Sequence, residues 1–420
     1  MRKQFLIILL TIFLIPSVSK SAFLLIPMDN SQTNHLKSYG IIYWALQNEI
    51  EAWWLLNYRG GSFLTPYHKE IENECRIRNI GFEVIADIQK EQIFAEIARP
   101  DINMDVVKLE KAPKIAVYSP PGKLPWDDAV TLALTYAEIP YDLIYDTEII
   151  NGDLSKYDWL HLHHEDFTGQ YGKFYSGYHN MQWYQEQQKS AESTAQEFGF
   201  NKVSQLKLFV VKTIKSFISN GGFLFAMCSA TDTFDIALAA EGTDICESMY
   251  DGDPADPSAQ DKLDYSQCLA FQNFTLIKNP LEYEHSNIDV SLTRKLGQDE
   301  DFFTLFEFSA KWDPVPTMLC QNHNNLIRGF MGQSTAFNTE VIKPEVLIMG
   351  ENKSANETRY IHGELGKGMW TFYGGHDPED YRHYVGDQKT DLDLYPNSAG
   401  YRLILNNVLF PAAKKKKLKT

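Results

Sequence analysis

The feature that most constrains the fold is a series of short, uninterrupted apolar runs between residues 114 and 240. Such runs are typical of strands buried on both faces, because helices cover both sides of a parallel sheet. We therefore predict an α/β fold built on a doubly wound, mostly parallel sheet. Its predicted strands are Ile115–Tyr118, 141–145, 159–163 and Phe223–Met227, and its predicted helices are 127–137 and Val203–Ser219.

The flanking segments predict further units. Region 23–111 alternates strand-like and helix-like stretches, which favours an additional N-terminal α/β region of βαβ units, with polar residues 101–111 as a linker or domain edge. Segment 241–340 is rich in turn residues and indicates an irregular insertion of mixed structure with β-hairpins. We expect 341–412 to complete the core, through a strand at 346–349, a hairpin at 360–373 and the helix Ala399–Leu409.

The two ends of the chain carry separate signals. Arg2 and Lys3 precede an apolar run at 5–16 and small residues up to Ala22, as in a cleaved secretory signal at 1–22 of the bacterial Sec type. This predicts a periplasmic or secreted protein, and no second apolar run long enough to span a bilayer is visible. The basic residues of segment 413–420 are typical of a solvated tail.

Charge and cysteine content narrow the function classes. A formal net charge of −16 disfavours a nucleic-acid partner, because phosphate binding needs clustered cations. Five cysteines are too few for a disulfide scaffold in 420 residues. If Cys246 pairs with Cys268 or Cys320, Cys228 is left as a free thiol, and the sequence leaves this pairing open.

Two glycine-marked segments each end at a reactive side chain. An apolar strand after Gly221-Gly222 ends at Cys228, and another after Gly368 ends at His376. Small residues two before and two after Cys228, both alanines, satisfy the steric need of a nucleophile elbow. Since ligands collect at the carboxyl ends of parallel strands, these segments predict a shared cleft.

Acyl transfer in this cleft would use Cys228 as thiolate and His376 as base, with Glu379 or Asp377 orienting the imidazole. The N–H of Ser229 and a backbone group near His164 are candidate oxyanion donors. The alternative is structural: buried cysteine is a common small apolar residue, and the turn after His376 is then only a hydrogen-bonded loop.

A second cluster of ionisable residues follows the strand at 159–163. His163, His164, Glu165 and Asp166 could converge with His376 on a divalent metal, or could instead support His376 by hydrogen bonds. The aromatic segment 167–183 could line a sugar or peptide pocket, or pack its own rings on the domain.

These segments resemble the class I glutamine amidotransferase-like superfamily, especially its ThuA-like and DJ-1-like branches. The resemblance covers 114–240 and 363–379, about half the chain, and implies a flavodoxin-like core. In the family the elbow reads Gly-x-Cys-x-Gly and the base lies in His-Pro-Glu. Cys228 matches the first motif with both glycines replaced by alanine, and His376 matches the second with Asp377 inserted before Pro378 and Glu379.

Over its full length the chain also resembles exported bacterial proteins labelled asparagine synthetase B. ATP-dependent asparagine synthesis is not supported, because Arg2 stands where that enzyme has cysteine and its Ser-Gly-Gly-x-Asp-Ser loop is absent. We expect an exported cysteine-dependent amide or acyl hydrolase without an obligatory cofactor. The alternative is a non-catalytic envelope module that binds a glycan, peptide or protein.

Overall fold

The computed structural model describes residues 22–120, 128–313, 316–321, 324–382 and 387–413. Three predicted features lie wholly or partly outside these ranges: residues 1–21 of the predicted signal segment 1–22, the predicted turn and helix start within 121–127, and residues 414–420 of the predicted basic tail 413–420. Among the helices inside them, none combines the length and apolar character that a membrane span needs. The helices are α1 (His35–Gln47), α2 (Lys69–Ile77), α3 (Asp87–Ile97), α4 (Ala129–Tyr136), α5 (Asp146–Ile150), α6 (Tyr175–Tyr178), α7 (Gln182–Glu197), α8 (Val203–Ser219), α9 (Ser229–Ala239), α10 (Ser248–Asp251), α11 (Pro316–Leu319) and α12 (Ala399–Leu409).

A small five-stranded sheet forms from the N-terminal region, in the order β4-β1-β3-β2-β5. Its strands are β1 (Ala22–Ile26), β2 (Ala52–Leu56), β3 (Ser62–Pro66), β4 (Glu83–Ala86) and β5 (Asp105–Leu109). All four pairings are antiparallel, so the predicted βαβ units are wrong. Only residues 57–61 join β2 to β3, which suits a hairpin, whereas a parallel crossover needs a dozen residues or more.

Residues 101–111 also differ from expectation. They were predicted as a linker or domain edge, but they contain β5, which pairs along its whole length with β2. Val107 and Leu109 are buried in one apolar cluster, Val106 packs partly buried against another, and Lys108 is exposed. The polar composition that resembled a linker comes from the charged residues around these apolar side chains.

The large sheet has ten strands among the described residues. Nine follow the order β11-β10-β13-β14-β15-β9-β8-β6-β7, and β12 pairs with β14. They are β6 (Ile115–Tyr118), β7 (Asp142–Ile144), β8 (Trp159–Leu162), β9 (Phe223–Met227), β10 (Phe302–Leu305), β11 (Leu326–Arg328), β12 (Phe337–Asn338), β13 (Leu347–Asn352), β14 (Glu357–Leu365) and β15 (Gly368–Tyr373).

Strand direction divides the large sheet in two. Strands β15, β9, β8, β6 and β7 are parallel, whereas β10 to β14 join through antiparallel pairs. The chain is therefore mixed α/β, and the prediction of a mostly parallel sheet is wrong. Segment 241–340 supplies β10 to β12, and two consecutive hairpins, β13–β14 and β14–β15, supply the rest of the antiparallel half. The short connections 353–356 and 366–367 of these hairpins reverse the chain.

Helices cover both faces of the parallel strands. On one face α1, α4 and α12 pack against side chains that include Val117, Phe225 and Met227. On the other face α5, α8 and α9 pack against side chains that include Leu160 and Ala226. Adjacent residues of one strand thus enter opposite cores, which explains the uninterrupted apolar runs. The carboxyl ends of β8, β9 and β15 meet at one edge, where the candidate site lies.

Candidate functional site

Cys228 lies at the junction of β9 and α9 in a strained backbone conformation. It is the N-cap of α9, with φ 52° and ψ −143°, a backbone conformation that residues other than glycine rarely adopt. Its N–H donates to the carbonyl of Gly375 (3.2 Å), and its own carbonyl accepts from Thr231 N (3.1 Å). The residue is 3% exposed. These contacts hold the turn in place and attach it to the residue before His376.

The register of the parallel strands brings the histidines to this junction. Leu162 is opposite Ala226, and Tyr373 is opposite Met227, so the residues that follow all three strands emerge at the same edge. His163 also joins the site through its carbonyl, which accepts from Ala230 N in the first turn of α9 (3.0 Å). The predicted convergence at the strand ends is thus realised for the three histidines His163, His164 and His376.

These three imidazoles form a compact cluster. The ring centroids of His163 and His164 are 3.9 Å apart and nearly parallel. The His376 ring lies 4.8 Å from that of His163 and 4.7 Å from that of His164. One nitrogen from each ring lies within 4.8 Å of the others. His163 and His376 are buried, and His164 is half-buried.

Asp128 is a site residue that the sequence analysis missed. Its Oδ1 lies 3.3 Å from Nδ1 of His163, and its Oδ2 lies 3.3 Å from Nε2 of His161. Oδ1 also accepts from Val130 N (2.7 Å), which caps the N-terminus of α4. The available signal was weak: an Asp in the capping position of a helix that follows a core strand.

Burial and charge set the protonation states of this group. Burial, reinforced by the adjacent His164, lowers the pKa of His163 well below its ordinary value and keeps the ring neutral. Burial alone would raise the pKa of Asp128, but His161 and His163 beside it hold that pKa well below its ordinary value. A carboxylate therefore faces two imidazoles in the interior behind the cluster.

The other predicted acidic residues are bound elsewhere. Asp166 accepts from Thr168 N (2.7 Å) and Gly172 N (2.8 Å), and His285 Nε2 is 3.5 Å away. Burial raises the pKa of Glu165 to about 7, and Tyr145 donates to this carboxyl at 3.4 Å. Asp166 thus binds the loop at 166–173, and Glu165 lies beside Tyr145, which precedes α5. The histidine cluster itself is formed by His163, His164 and His376.

The carboxylates after His376 organise the turn that carries it. Asp377 accepts from Glu379 N (2.9 Å) and from the Thr390 hydroxyl (2.7 Å). Glu379 accepts from the Ser398 hydroxyl at the start of α12, and burial raises its pKa. Gly332 packs on the other side of His376: a Cβ at this glycine, whose φ is 150°, would lie 2.8 Å from Cβ of His376.

Ser229 and the aromatic segment complete the surroundings. Ser229 is the first residue of α9, and its buried hydroxyl has no hydrogen-bond partner among the described residues. Phe174, Tyr178 and Trp183 pack on one another, with centroid separations of 5.3–6.1 Å, and Phe174 also packs on Tyr283 at 5.5 Å. All five cysteines are free and buried. Cys228 is therefore a free thiol, and Cys246 forms no disulfide with Cys268 or Cys320.

A groove lies away from this site, at the end of the sheet where β8 and β9 begin. It has a volume of about 890 Å³ and is lined mainly by α8 and by the residues before β9. Apolar side chains contribute most of its wall, among them Leu154, Phe200, Phe209 and Phe217. Groove and histidine cluster are thus two separate features.

Comparison with known proteins gives no assignment. No family model matches the chain. No curated protein matches it either. The solved structures that align include the cytoplasmic proteins STM3548 and STM1381 from Salmonella typhimurium, each 10% identical over 72% of this chain and 100% of theirs, with TM-scores of 0.35 and 0.34. A β-galactosidase from Bacillus circulans sp. alkalophilus aligns at 10% identity over 69% of this chain and 30% of its own, with a TM-score of 0.25. Scores this low assign neither fold nor function.

Proposed function

We propose that the protein is an exported hydrolase of amides or related acyl compounds, with Cys228 as its nucleophile. The observation that carries the proposal is the backbone of Cys228, φ 52° and ψ −143° between β9 and α9. Strain of this kind persists only where the surrounding structure enforces it, and it is concentrated at functional sites. A nucleophile elbow has the same design, a strained residue at a strand-to-helix turn.

Two features of the turn support this role for Cys228. The residue caps an eleven-residue helix, whose N-terminal dipole favours negative charge. His376 follows the residue that binds the Cys228 backbone, so imidazole and thiol leave the same sheet edge. We assign His376 as the base, and Asp377 and Glu379 as positioning residues that fix its turn through Thr390 and Ser398.

The proposed reaction is covalent acyl transfer. His376 takes the thiol proton, the sulfur attacks the carbonyl carbon, and the carbonyl electron pair moves to oxygen, which the Ser229 N–H stabilises. The tetrahedral species collapses as the carbon–nitrogen bond breaks, and the leaving amine takes the proton from His376. Water then hydrolyses the thioester. This sequence needs no cofactor.

The fold and location that we propose follow the resemblance. The five parallel strands covered on both faces are compatible with a doubly wound, flavodoxin-like core of the class I glutamine amidotransferase-like kind, of the ThuA-like or DJ-1-like type. The antiparallel strands then extend that core. From the signal-like segment 1–22 we further propose a location in the periplasm or outside the cell, where we expect a small amide, glycan or peptide ligand.

Acylation by p-nitrophenyl acetate tests this proposal. The purified protein should release a burst of nitrophenolate and gain one acetyl group on Cys228, measured by intact and peptide mass spectrometry. Cys228→Ala should lose both signals. Cys268→Ala is the matched control, because Cys268 is also buried and free, and burial raises the pKa of its thiol. A burst that persists in Cys228→Ala would refute the nucleophile assignment.

A non-catalytic binding module is the second candidate function. The groove of about 890 Å³ with its apolar wall favours it, since Phe209 stays 42% exposed there. So does the low exposure of Cys228, at 3%. Under this hypothesis oligosaccharides or apolar peptides raise the thermal midpoint of the wild type but not of Phe209→Ser, and Cys228 is not acetylated.

A further inference from the structure

We propose that His163, His164 and His376 form a binding site for one divalent transition-metal ion. Their candidate ligand nitrogens lie within 4.8 Å of one another, at the carboxyl ends of β8 and β15. Three imidazoles are a ligand set that suits zinc, cobalt or nickel rather than magnesium or calcium, which prefer oxygen. Three protein ligands also leave a coordination position open for a water molecule or another ligand.

The surroundings of His163 provide independent support for a metal. Its Nδ1 lies 3.3 Å from Oδ1 of Asp128. Neither Nδ1 nor Nε2 makes a hydrogen bond within the described part of the chain, although both are buried. A histidine that ligates a metal usually has its second nitrogen against a carboxylate, which fixes the ring. His163 has this arrangement, with Nε2 left for the ion.

The backing of Asp128 makes the arrangement rigid. Asp128 is 1% exposed, and it is fixed by the α4 backbone amides and by His161, whose Nδ1 is 3.0 Å from the carbonyl of Phe225. Two β-strands and a helix terminus therefore hold the carboxylate before any ligand binds. Preorganisation of this kind reduces the cost of assembling a metal site.

One ring must turn for coordination. A metal lies in the plane of each imidazole that binds it, but the rings of His163 and His164 are stacked 3.9 Å apart with 21° between their planes. Since His163 is fixed by Asp128 and His164 is half-buried, His164 is the ring that rotates. A metal-bound structure should therefore differ from this one mainly at the His164 side chain.

The site does not rest on the proposed chemistry of Cys228, but it affects that chemistry. A nitrogen of His376 that binds a metal is not available to take the thiol proton. Zinc should therefore slow acetylation of Cys228, and a chelator should restore it. Metal binding itself is measured without any substrate, so the two proposals can fail separately.

Titration of the chelator-treated, full-length purified protein with Co²⁺ and Zn²⁺ tests the site. Isothermal calorimetry should give one ion per chain, and bound Co²⁺ should show the intense visible bands of a four- or five-coordinate site. His164→Ala and His376→Ala should bind at least about 100-fold more weakly. Asp128→Asn, which keeps the helix cap, should bind about 10- to 100-fold more weakly.

The matched control is His68→Ala, because His68 is exposed at the start of α2 and makes no capping bond with its side chain. It should bind as tightly as the wild type. Equal binding by all variants, or weak six-coordinate Co²⁺ spectra in the wild type, would overturn the site. If a histidine variant does not fold, the wild-type spectrum and Asp128→Asn still decide the question.

Discussion

At the residue scale, Cys228 combines a free thiol with a backbone conformation that suits glycine better than cysteine. Its φ of 52° and ψ of −143° place Cβ in a crowded position. The carbonyl of Gly375 and the side chain of Thr231 bind its backbone from two directions. The surrounding structure thus carries the cost of this conformation, which is on the order of 1–3 kcal/mol.

Replacement of Cys228 should reverse the usual ranking of alanine and glycine. Cys228→Gly removes the strain, whereas Cys228→Ala keeps Cβ in the same conformation. We therefore expect the glycine variant to have the higher free energy of unfolding, by about 1 kcal/mol. This difference already includes the opposing effect of glycine, which makes the unfolded chain more flexible. Urea denaturation of both variants measures the difference. A more stable alanine variant would mean that the backbone of Cys228 is not strained.

Asp232, inside α9, should make stability depend on pH. Burial raises its pKa from 3.8 to about 7, with Asp289 reinforcing the shift and His285 opposing it. Between about pH 4 and pH 7 the unfolded chain releases this proton while the folded protein keeps it, so stability falls as pH rises. Above about pH 7 the carboxyl is ionised in both states, so this group causes no further loss of stability.

Asp232→Asn should flatten this dependence. Asparagine does not ionise, and its oxygen can still accept from the Ser334 hydroxyl, which now donates to Oδ1 at 2.7 Å. Relative to wild type, the variant should gain on the order of 4 kcal/mol in unfolding free energy between pH 4 and pH 8, because each unit of pKa difference corresponds to about 1.4 kcal/mol. Asp299→Asn, at an exposed aspartate, is the control. Identical pH profiles for wild type and Asp232→Asn would contradict the raised pKa.

At the element scale, helix α1 joins the small sheet to the parallel core. It packs against both α4 and α12 in one apolar cluster. The crossing with α4 is close because Gly40 lies against the end of that helix: a Cβ at Gly40 would lie 1.7 Å from the carbonyl oxygen of Ala137. The backbone at Ala137 cannot move away from an added Cβ as the end of a flexible side chain could.

Gly40→Ala should therefore destabilise the protein despite the higher helix propensity of alanine. We expect a loss of about 2 kcal/mol, the usual scale of overpacking. Gly177→Ala is the matched control, because nothing lies within 4 Å of a Cβ at that helical glycine. Thermal and urea unfolding measure both. A Gly40→Ala variant as stable as the Gly177→Ala variant would show that α1 and α4 have room to separate.

Local sequence patterns predicted individual elements better than their directions. The bounds of β9, α8 and α12 agree with the prediction, because apolar spacing and the flanking Gly or Pro mark them. Strand β5 was missed, because the charged residues around it resemble a linker. Strand direction depends on partners far away in sequence, so the antiparallel small sheet and the half-antiparallel large sheet could not be read from periodicity.

At the scale of the whole molecule, one apolar cluster crosses the predicted boundary near residue 111. Side chains of the small sheet, such as Trp54 and Phe63, belong to the same cluster as Val117 and Phe225 of the parallel strands. Buried polar contacts cross it too: Tyr39 donates to Asn406 of α12, and Arg402 donates to the Tyr39 hydroxyl at 3.0 Å. The N-terminal region therefore supports the sheet that carries the site.

The site was predictable to the extent that topology alone determines it. The rule that ligands collect at the carboxyl ends of parallel strands grouped His163, His164 and His376 with Cys228. The partners of these residues could not be predicted, because Asp128 reaches His163 from another strand–helix junction and Glu379 turns towards Ser398. Such contacts depend on the path of each side chain rather than on sequence spacing.

The most direct test of the central claim, that Cys228 is an activated nucleophile, is the pH dependence of its alkylation by iodoacetamide. Peptide mass spectrometry follows Cys228 separately from the other four thiols, in the wild type and in His376→Ala. The account predicts rapid alkylation of Cys228 in the wild type well below pH ~8.5, the region where ordinary thiols ionise, and loss of that reactivity in His376→Ala. A Cys228 that does not react, or that reacts equally in both proteins, would contradict it.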